Sequence, residues 1–321
     1  MIYKNSISLL LIALLFSCNN NNNSNVETKD VPVEVKSYVS TKHIIEAEEL
    51  FKISKKNSVK IIDFRRPKKY TEKHIEGALN IWRTDIEDTS YPYGGMMAKK
   101  DEIETLFSAL GIRNSDQVVV YDDRGGCDAA RLWWVLKNYG FESVQLLNGG
   151  LAAWKQIGGV INNKKISSVP SVFVLPEKSE FELYIDKDRI KENIDSKEKM
   201  MILDTRSIDE FSGKRQKKGA HKGGRIPESK RIDWIEAIHY NGDMKFKSYQ
   251  ELEKVYEKMK VSKDDLIVTY CHSGVRSAHT TFILTELLGY SNVKNYDGSW
   301  TEWSFFDNLP FQQDSITKVK L

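Results

Sequence analysis

The chain has 321 residues, of which 40% are hydrophobic and 29% are charged, and its formal net charge is +3. The length suffices for about two domains, and this balance excludes a fully disordered chain, a collagen-like repeat and a polytopic membrane protein. The small net charge gives no global basic field that would indicate nucleic acid binding. Three cysteines, Cys18, Cys127 and Cys271, are too few for a disulfide scaffold and form no C-x-x-C pair, so neither a metal nor an organic cofactor is indicated.

The chain begins with a pattern typical of an export signal. Lys4 precedes an apolar run at residues 7–16, which is too short to span a bilayer as a helix. The sequence Leu-Phe-Ser-Cys that ends at Cys18 resembles a bacterial lipobox, in which the cysteine becomes lipidated. We expect a lipoprotein signal peptide at residues 1–18 and a tether at the asparagine-rich residues 19–37. The protein would then be anchored by lipid in the cell envelope, outside the cytoplasmic membrane; a plain secretory signal is the alternative.

The remainder of the chain contains one internal repeat. Asp122 and Cys271 lie 149 positions apart, and Trp154 and Trp303 are separated by the same 149 positions. Two matches at one offset, each within a similar series of strands, glycine turns and helices, indicate a duplicated unit. The elements predicted for the first copy are the strands 59–64, 118–121 and 144–147 and the helix 129–139. Those predicted for the second copy are the strands 200–204, 266–270 and 293–296 and the helix 277–288.

The alternation of short strands with longer helices predicts the fold class. It is typical of α/β domains, and we expect two of them in tandem, each a mostly parallel sheet with helices on both faces. Ligands of such sheets bind at the carboxyl ends of strands, a position that the turn after Tyr270 occupies. We place the first domain at residues 38–160, a linker at 161–180, the second domain at 181–307 and a C-terminal tail at 308–321.

Cys271 is the candidate nucleophile. It stands at the end of a predicted buried strand and precedes a polar turn and a helix that begins near Arg276. The backbone N–H groups of such a turn converge on the sulfur, which lowers the thiol pKa and favours a thiolate. Gly274 allows the turn to bend. A buried structural cysteine is the alternative, but the polar, glycine-bearing turn favours a reactive one.

Several motifs together resemble those of one family. They are Asp204-Thr205-Arg206, Gly223-Gly224-Arg225-Ile226-Pro227, Cys271-x-x-Gly274-Val275-Arg276 and, in the first copy, a glycine pair followed by a tryptophan. Over about residues 40–307 the chain resembles the tandem-domain rhodaneses, which are sulfurtransferases. The resemblance implies that Cys271 takes a sulfur atom from a small anionic donor, thiosulfate or 3-mercaptopyruvate, and becomes a persulfide. It also implies transfer to cyanide, a thiol or a thioredoxin-like acceptor, and an inactive first copy with Asp122 in place of the cysteine.

Two other functions compete with a sulfurtransferase. Dual-specificity phosphatases share the fold but separate cysteine and arginine by five residues, whereas four separate Cys271 from Arg276, and this shorter loop favours a sulfur atom over a phosphate. The second alternative is a persulfide-carrying or protein-binding module that does not turn over small donors rapidly. The intact loop, with Arg206 and Arg215, favours the enzyme.

The resemblance also implies which residues bind the donor. Arg206 matches an arginine that holds the sulfonate or carboxylate of the donor, and Arg215 matches a second arginine of mercaptopyruvate-type members. A solvated basic loop is the alternative for the region of Arg215. The loop residues His272, Ser273, Gly274, Val275 and Arg276 complete the expected substrate-binding set, although Arg276 is expected mainly to close the loop.

A proton relay is a further expectation from the resemblance. Ser273 would pair with His74 and Asp63 of the first copy, as in mercaptopyruvate-type members. The ordinary alternatives are a strand-end turn for Asp63 and a loop residue that binds backbone groups for His74. His272 is expected to face solvent and to add positive charge only at low pH. We interpret Cys127 as a small buried residue.

Overall fold

The computed structural model describes residues 36–177, 182–196 and 199–314. The predicted signal peptide, the predicted lipidation site Cys18 and nearly all of the predicted tether lie outside these residues, as do residues 315–321 of the tail. Within the described ranges, no helix is both long enough and apolar enough to cross a membrane.

The first half is built on a parallel sheet. Its strands are β1 (Ile44–Ile45), β2 (Val59–Asp63), β3 (His74–Ile75), β4 (Leu79–Asn80), β5 (Gln117–Tyr121), β6 (Val144–Leu147) and β7 (Ile161–Asn162). Its helices are α1 (Ala47–Ile53), α2 (Pro67–Glu72), α3 (Lys100–Ala109), α4 (Ala129–Asn138) and α5 (Gly150–Gln156), with a 3-10 turn at Arg83–Ile86. Strands β1, β6, β5, β2 and β4 lie side by side in that order and pair in parallel, whereas β3 and β7 form a short antiparallel pair.

The second half repeats this arrangement. Its strands are β8 (Tyr184–Ile185), β9 (Met201–Asp204), β10 (Lys230–Arg231), β11 (Ile267–Tyr270) and β12 (Val293–Tyr296). Its helices are α6 (Lys187–Ser196), α7 (Ile208–Ser212), α8 (Tyr249–Tyr256), α9 (Val275–Phe282) and α10 (Ser299–Phe305), with 3-10 turns at Trp234–Ala237 and Glu257–Met259 and a π-helical turn at Ile283–Leu287. The sheet order, β10-β9-β11-β12-β8, is parallel throughout. The predicted fold, two tandem α/β domains with mostly parallel sheets, is confirmed.

The central strand of each sheet carries the loop that faces the cleft between the halves. The valine run of β5 and the residues of β11 are buried on both faces, which is why these strands are continuously apolar rather than alternating. Helix α9 begins at Val275, two residues before the predicted start, so its first turn directly follows the loop. Cys271 therefore lies between the end of β11 and the N-terminus of α9.

The two halves share a hydrophobic core. Helices α4 and α9, which follow the corresponding loops of the two copies, pack against each other, and Trp133 meets Phe282 edge to face with ring centroids 4.9 Å apart. One cluster of buried side chains extends from the first half into the second. A buried ion pair joins Arg131 to Asp297 at 2.6 Å across the same boundary.

The predicted linker packs against the first half. Phe173 is buried, with its ring centroid 4.9 Å from that of Phe107 and 5.3 Å from that of Phe141. The Ser171 amide donates to the Ser108 carbonyl at 2.9 Å. Residues 161–177 thus extend the first half before the chain enters the second.

Candidate active site

Cys271 lies directly after β11, at the carboxyl end of the sheet, and its residue is 1% exposed. The loop that follows turns at Gly274, which adopts φ +69°. A Cβ atom at this position would come within 2.6 Å of the Asp297 carbonyl oxygen, so the turn requires glycine for both conformation and space. Helix α9 then begins at Val275.

Ser299 organises the active loop, and sequence reasoning missed it. Its Oγ accepts the amide of Cys271 at 3.1 Å and that of Gly274 at 3.0 Å, and it donates to the Tyr296 carbonyl at 2.7 Å. Ser299 adopts φ +50°, a left-handed conformation that a side chain disfavours. The first copy has Gly150 at this position, with φ +54°. The second copy thus has a serine where the first copy has the second glycine of its glycine pair. This difference between the copies is the feature of the sequence that could have identified Ser299.

The surroundings of Cys271 favour the thiolate. Burial raises the thiol pKa, but the positive charge of Arg276 lowers it, as do hydrogen bonds from Ser277 and from the Ser273 amide. The balance brings the pKa of Cys271 to about 7. A substantial fraction of the thiol is therefore ionised at neutral pH, as a nucleophilic cysteine requires.

Arg276 closes the loop rather than lining the cavity. Its Nη1 and Nη2 atoms donate to the two carboxylate oxygens of Glu210 at 2.7 and 2.8 Å, in a buried bidentate pair. Burial raises the pKa of Glu210, but the pair with Arg276 lowers it to about 2. The arginine consequently stays fixed and charged beside Cys271, which matches its expected role in closing the loop and leaves its predicted contact with the donor without support.

A cavity of about 230 Å³ lies against the loop. His272, Ser273 and Val275 of the loop line one side of it. The remaining lining residues come from both halves and are Arg83, Ile86, Glu87, Gly94, Gly95, Arg131, Lys218, Gly219 and Thr301. Of the three cations in the lining, Arg131 pairs with Asp297 and Arg83 with Asp128, while Glu87 is acidic. Lys218 has no carboxylate partner within the described residues, so its charge is the one that favours a small anion in the cavity.

His272 faces the cavity but is not exposed to solvent as expected. It is buried, and its Nε2 lies 3.1 Å from the Lys218 carbonyl. Burial, together with the nearby charge of Lys217, lowers its pKa to about 4. The ring is therefore neutral near pH 7, with Nε2 donating to the carbonyl. The buried Nδ1 has no hydrogen-bond partner within the described residues, so it offers an acceptor to a bound ligand.

The expectation that Arg206 binds the donor is corrected by its position. The side chain is buried, and its Nε and Nη2 atoms donate to Asp204 at 2.9 and 2.6 Å, while Nη2 also donates to the Gly224 carbonyl at 2.7 Å. In the first copy, Arg65 makes the same pair with Asp63 and donates to the Lys73 carbonyl. A contact that recurs in the inactive copy serves the fold, because it holds the segment after β9, or β2, against the sheet.

The second predicted arginine also lies elsewhere. Arg215 is exposed and does not line the cavity, and its amide donates to the Asp209 carbonyl at 2.8 Å. The cavity cations are instead Lys218, from the same basic stretch, and Arg83 and Arg131, from the first half. Arg83 and Arg131 could not be predicted from the sequence, because the packing of the two halves brings them to the loop.

The predicted proton relay is not assembled. His74 is buried on β3, where Nδ1 lies 2.8 Å from the Tyr70 carbonyl and Nε2 lies 3.2 Å from the Lys164 carbonyl. Asp63 accepts from Arg65 and from the Tyr121 hydroxyl. Only Ser273 of the three residues lines the cavity. The relay is therefore corrected: both first-half members satisfy hydrogen bonds within their own half.

In the first copy, the side chain of Asp122 accepts hydrogen bonds from the backbone amides of the loop. Asp122 follows β5 in the first half, just as Cys271 follows β11 in the second, and Asp122 is buried. Its Oδ1 accepts the amides of Arg124 and Gly126, each at 2.9 Å, and its Oδ2 accepts those of Asp128 and Ala129 at 2.6 and 3.0 Å. In both copies the backbone amides of the loop point towards one place and favour an anion there. In the first copy the carboxylate of Asp122 occupies that place.

Comparisons with known proteins agree with this architecture. The Rhodanese-like domain family matches residues 46–157 and 186–305. The sulfur carrier protein TtuD of Thermus thermophilus is 36% identical over 249 residues, which cover 75% of this chain and 86% of that protein. A Mycobacterium tuberculosis protein with the provisional name thiosulfate sulfurtransferase is 35% identical over 254 residues, covering 77% of this chain and 88% of its own.

Two solved structures share the fold. Wild-type EanB superposes with a TM-score of 0.73 at 24% identity, over 86% of this chain and 70% of that one. The anaerobic ergothioneine biosynthesis enzyme of Chlorobium limicola, in complex with trimethyl histidine, gives a TM-score of 0.75 at 23% identity, over 88% and 72% of the two chains. The repeat, the loop after β11 and these relatives lead to one conclusion: the chain belongs to the rhodanese family of sulfurtransferases, with two rhodanese-like domains in tandem.

Proposed function

We propose that this protein transfers sulfur from thiosulfate to a nucleophilic acceptor through a persulfide on Cys271. The observation that carries the proposal is the thiol pKa of about 7, set beside Arg276 in a loop that faces the cavity lined by Lys218. The thiolate attacks the sulfane sulfur of thiosulfate, the S–S bond breaks, and sulfite leaves with the bonding electron pair. Cyanide or a thiolate then attacks the outer sulfur of the persulfide, and the Cys271 thiolate leaves. The first step adds a sulfane sulfur atom to Cys271 and the second removes it, so the two together return the thiolate and need no external oxidant or reductant.

The choice of thiosulfate rests on the leaving group. Sulfite departs as a stable anion and needs no proton, whereas 3-mercaptopyruvate releases the enolate of pyruvate, which must be protonated. The relay expected to serve that proton is absent, because His74 and Asp63 bind within the first half. Lys218 provides positive charge that favours the thiosulfate dianion in the cavity. Arg83 and Arg131 pair with Asp128 and Asp297, and each keeps one nitrogen without a hydrogen-bond partner within the described residues.

The second candidate function is persulfide delivery to a protein. It is favoured by the 36% identity to a relative named sulfur carrier protein. In that case the persulfide forms with thiosulfate, but thiocyanate formation from cyanide is slow.

A single assay separates these functions. The protein without residues 1–18 is given thiosulfate or 3-mercaptopyruvate with cyanide, and thiocyanate is measured; we expect the higher kcat/KM with thiosulfate. Cys271→Ser abolishes the reaction because it removes the nucleophile, while Cys127→Ser serves as the matched control and retains it. A higher kcat/KM with 3-mercaptopyruvate contradicts the donor assignment. A stable persulfide without thiocyanate selects the carrier, and activity in Cys271→Ser rejects the proposal altogether.

We also propose that the protein works in the cell envelope, anchored through lipid on Cys18. The support is the sequence pattern alone, a short apolar run that ends in a lipobox. Expression of the full chain in a bacterium should place it in the membrane fraction. Cys18→Ala should remove lipid labelling, and continued labelling of that variant would exclude Cys18 as the anchor.

A further inference from the structure

A second cavity lies in the first half, at the carboxyl end of its parallel sheet. Its volume is about 250 Å³, residues that follow β2, β4 and β5 bound it, and Lys217 contributes from the second half. This edge is where parallel α/β sheets bind ligands. The neighbouring loop is the counterpart of the Cys271 loop, with Asp122 in place of the nucleophile. The cavity therefore occupies a ligand-binding position in a half without the catalytic cysteine.

The walls of this second cavity carry an excess of positive charge. Asp123 and Asp128 line it, Asp63 pairs with Arg65 of its wall, and Asp122 is buried in the adjoining loop. The lining cations outnumber these four carboxylates by two, and a cavity of net positive charge concentrates small anions. The lining cations are Arg65, Arg66, Lys69, Arg83, Arg124 and Lys217.

Two of the arginines hold N–H donors ready for a ligand. The guanidinium groups of Arg66 and Arg83 each lie 5.3 Å from the ring centroid of Trp82. Stacking on an indole fixes a guanidinium while its N–H groups stay available. Within the described part of the chain, the Arg66 guanidinium has no carboxylate partner. Arg83 donates through Nη2 to Asp128, while its buried Nε has no hydrogen-bond acceptor.

The second cavity adjoins the active one. Arg83 lines both cavities. Lys217 of the second cavity lies within electrostatic range of Cys271 and Arg276; burial and the charge of Arg276 lower its pKa, and the Cys271 thiolate opposes that shift. An anion bound between Arg83 and Lys217 consequently lies next to the reacting thiolate rather than on a remote surface.

We propose that the second cavity is a binding site for a small dianion, linked to the active cavity by Arg83. A dianion matches the excess of two positive charges and accepts hydrogen bonds from Arg66 and Arg83. Two sources share this chemistry: a sulfur oxyanion, and the carboxylates of a low-molecular-weight thiol acceptor. The site is built from residues of the first half and Lys217, so it does not depend on which donor loads Cys271.

Calorimetric titration of the Cys271→Ser protein tests the site without catalysis. Sulfate is the probe for the oxyanion source and succinate the probe for the carboxylate source. We expect Arg66→Gln to weaken binding of the preferred probe about tenfold, since it removes a charged hydrogen-bond donor. Lys68→Gln removes a charge from the adjacent α2, outside the cavity lining, and should leave binding unchanged.

The outcomes separate this site from the active cavity. Tighter binding of sulfate assigns the site to an oxyanion, and tighter binding of succinate assigns it to an acceptor carboxylate. Loss of binding in Lys218→Gln without loss in Arg66→Gln places the anion in the active cavity and overturns the inference. Failure of both probes to bind, or an equal loss in Lys68→Gln, also overturns it. None of these results bears on persulfide formation, which is measured separately with the unmutated cysteine.

Discussion

At the scale of single residues, the two buried cysteines of the described chain show how environment decides reactivity. Cys271 follows a strand end and lies beside the charge of Arg276 and the amides of its loop, which offset the effect of burial. Cys127 is equally buried, but burial and the negative charge of Asp128 raise its pKa far above the ordinary value. The pKa of one thiol is therefore lowered and that of the other raised, although both belong to corresponding turns of a repeat.

This contrast predicts the pH dependence of thiol alkylation. Because the pKa of Cys271 is lowered to about 7, its reaction with iodoacetamide should rise with pH through a midpoint near 7 and level off above it. Cys127 should stay unmodified in the native protein and acts as an internal control. Mass spectrometry of the alkylated peptides measures both. A Cys271 midpoint near the ordinary value of about 8.5 would show that the loop does not stabilise the thiolate.

At the scale of the element, the same strand–loop–helix unit is stabilised in two different ways. The first copy satisfies its loop amides with the carboxylate of Asp122 and uses Gly150 where the backbone is left-handed. In the second copy the hydroxyl of Ser299 accepts the amides of Cys271 and Gly274. These are not the counterparts of the amides that Asp122 binds, so the strained serine adds a second support to the loop rather than replacing the carboxylate.

Substitutions at Ser299 test this interpretation. Ser299→Gly relieves the backbone strain but leaves the Cys271 and Gly274 amides without their acceptor, so we expect a loss of about 2 kcal/mol in the free energy of unfolding. Ser299→Ala loses the acceptor and keeps the strain, and should be less stable than Ser299→Gly by about 1 kcal/mol. Urea unfolding gives both values. A glycine variant as stable as the wild type would mean that the hydroxyl contributes nothing to the loop.

At the scale of the whole molecule, the first half forms part of the candidate active cavity. It contributes Arg83 and Arg131 to the active cavity, and Arg131 forms a buried pair with Asp297 of the second half. The shared core between α4 and α9 holds these contacts in register. The second half alone would therefore present the thiol with Lys218 but without Arg83 and Arg131.

The shared core also predicts cooperative unfolding. Trp133 of the first half is fully buried against Phe282 of the second, and Trp133→Ala should destabilise the protein by about 3–5 kcal/mol through loss of contact and the cavity left behind. Labelling of Cys127 reports the first half, and circular dichroism reports the whole chain. We expect both urea midpoints to shift together. A shift in one alone would indicate that the halves unfold independently.

Residue patterns along the chain suffice to predict the duplicated α/β fold and to single out Cys271 as the candidate nucleophile, with Asp122 at its place in the first copy. These properties are local: strand periodicity, a glycine turn and a helix start are encoded in adjacent residues. The tertiary structure alone decided the rest of the site. In the folded chain, Arg206 is a buried partner of Asp204 and His74 binds within its own half. Arg83 and Arg131 line the cavity. Contacts between the two halves depend on how their surfaces pack, and no spacing within one copy encodes that packing.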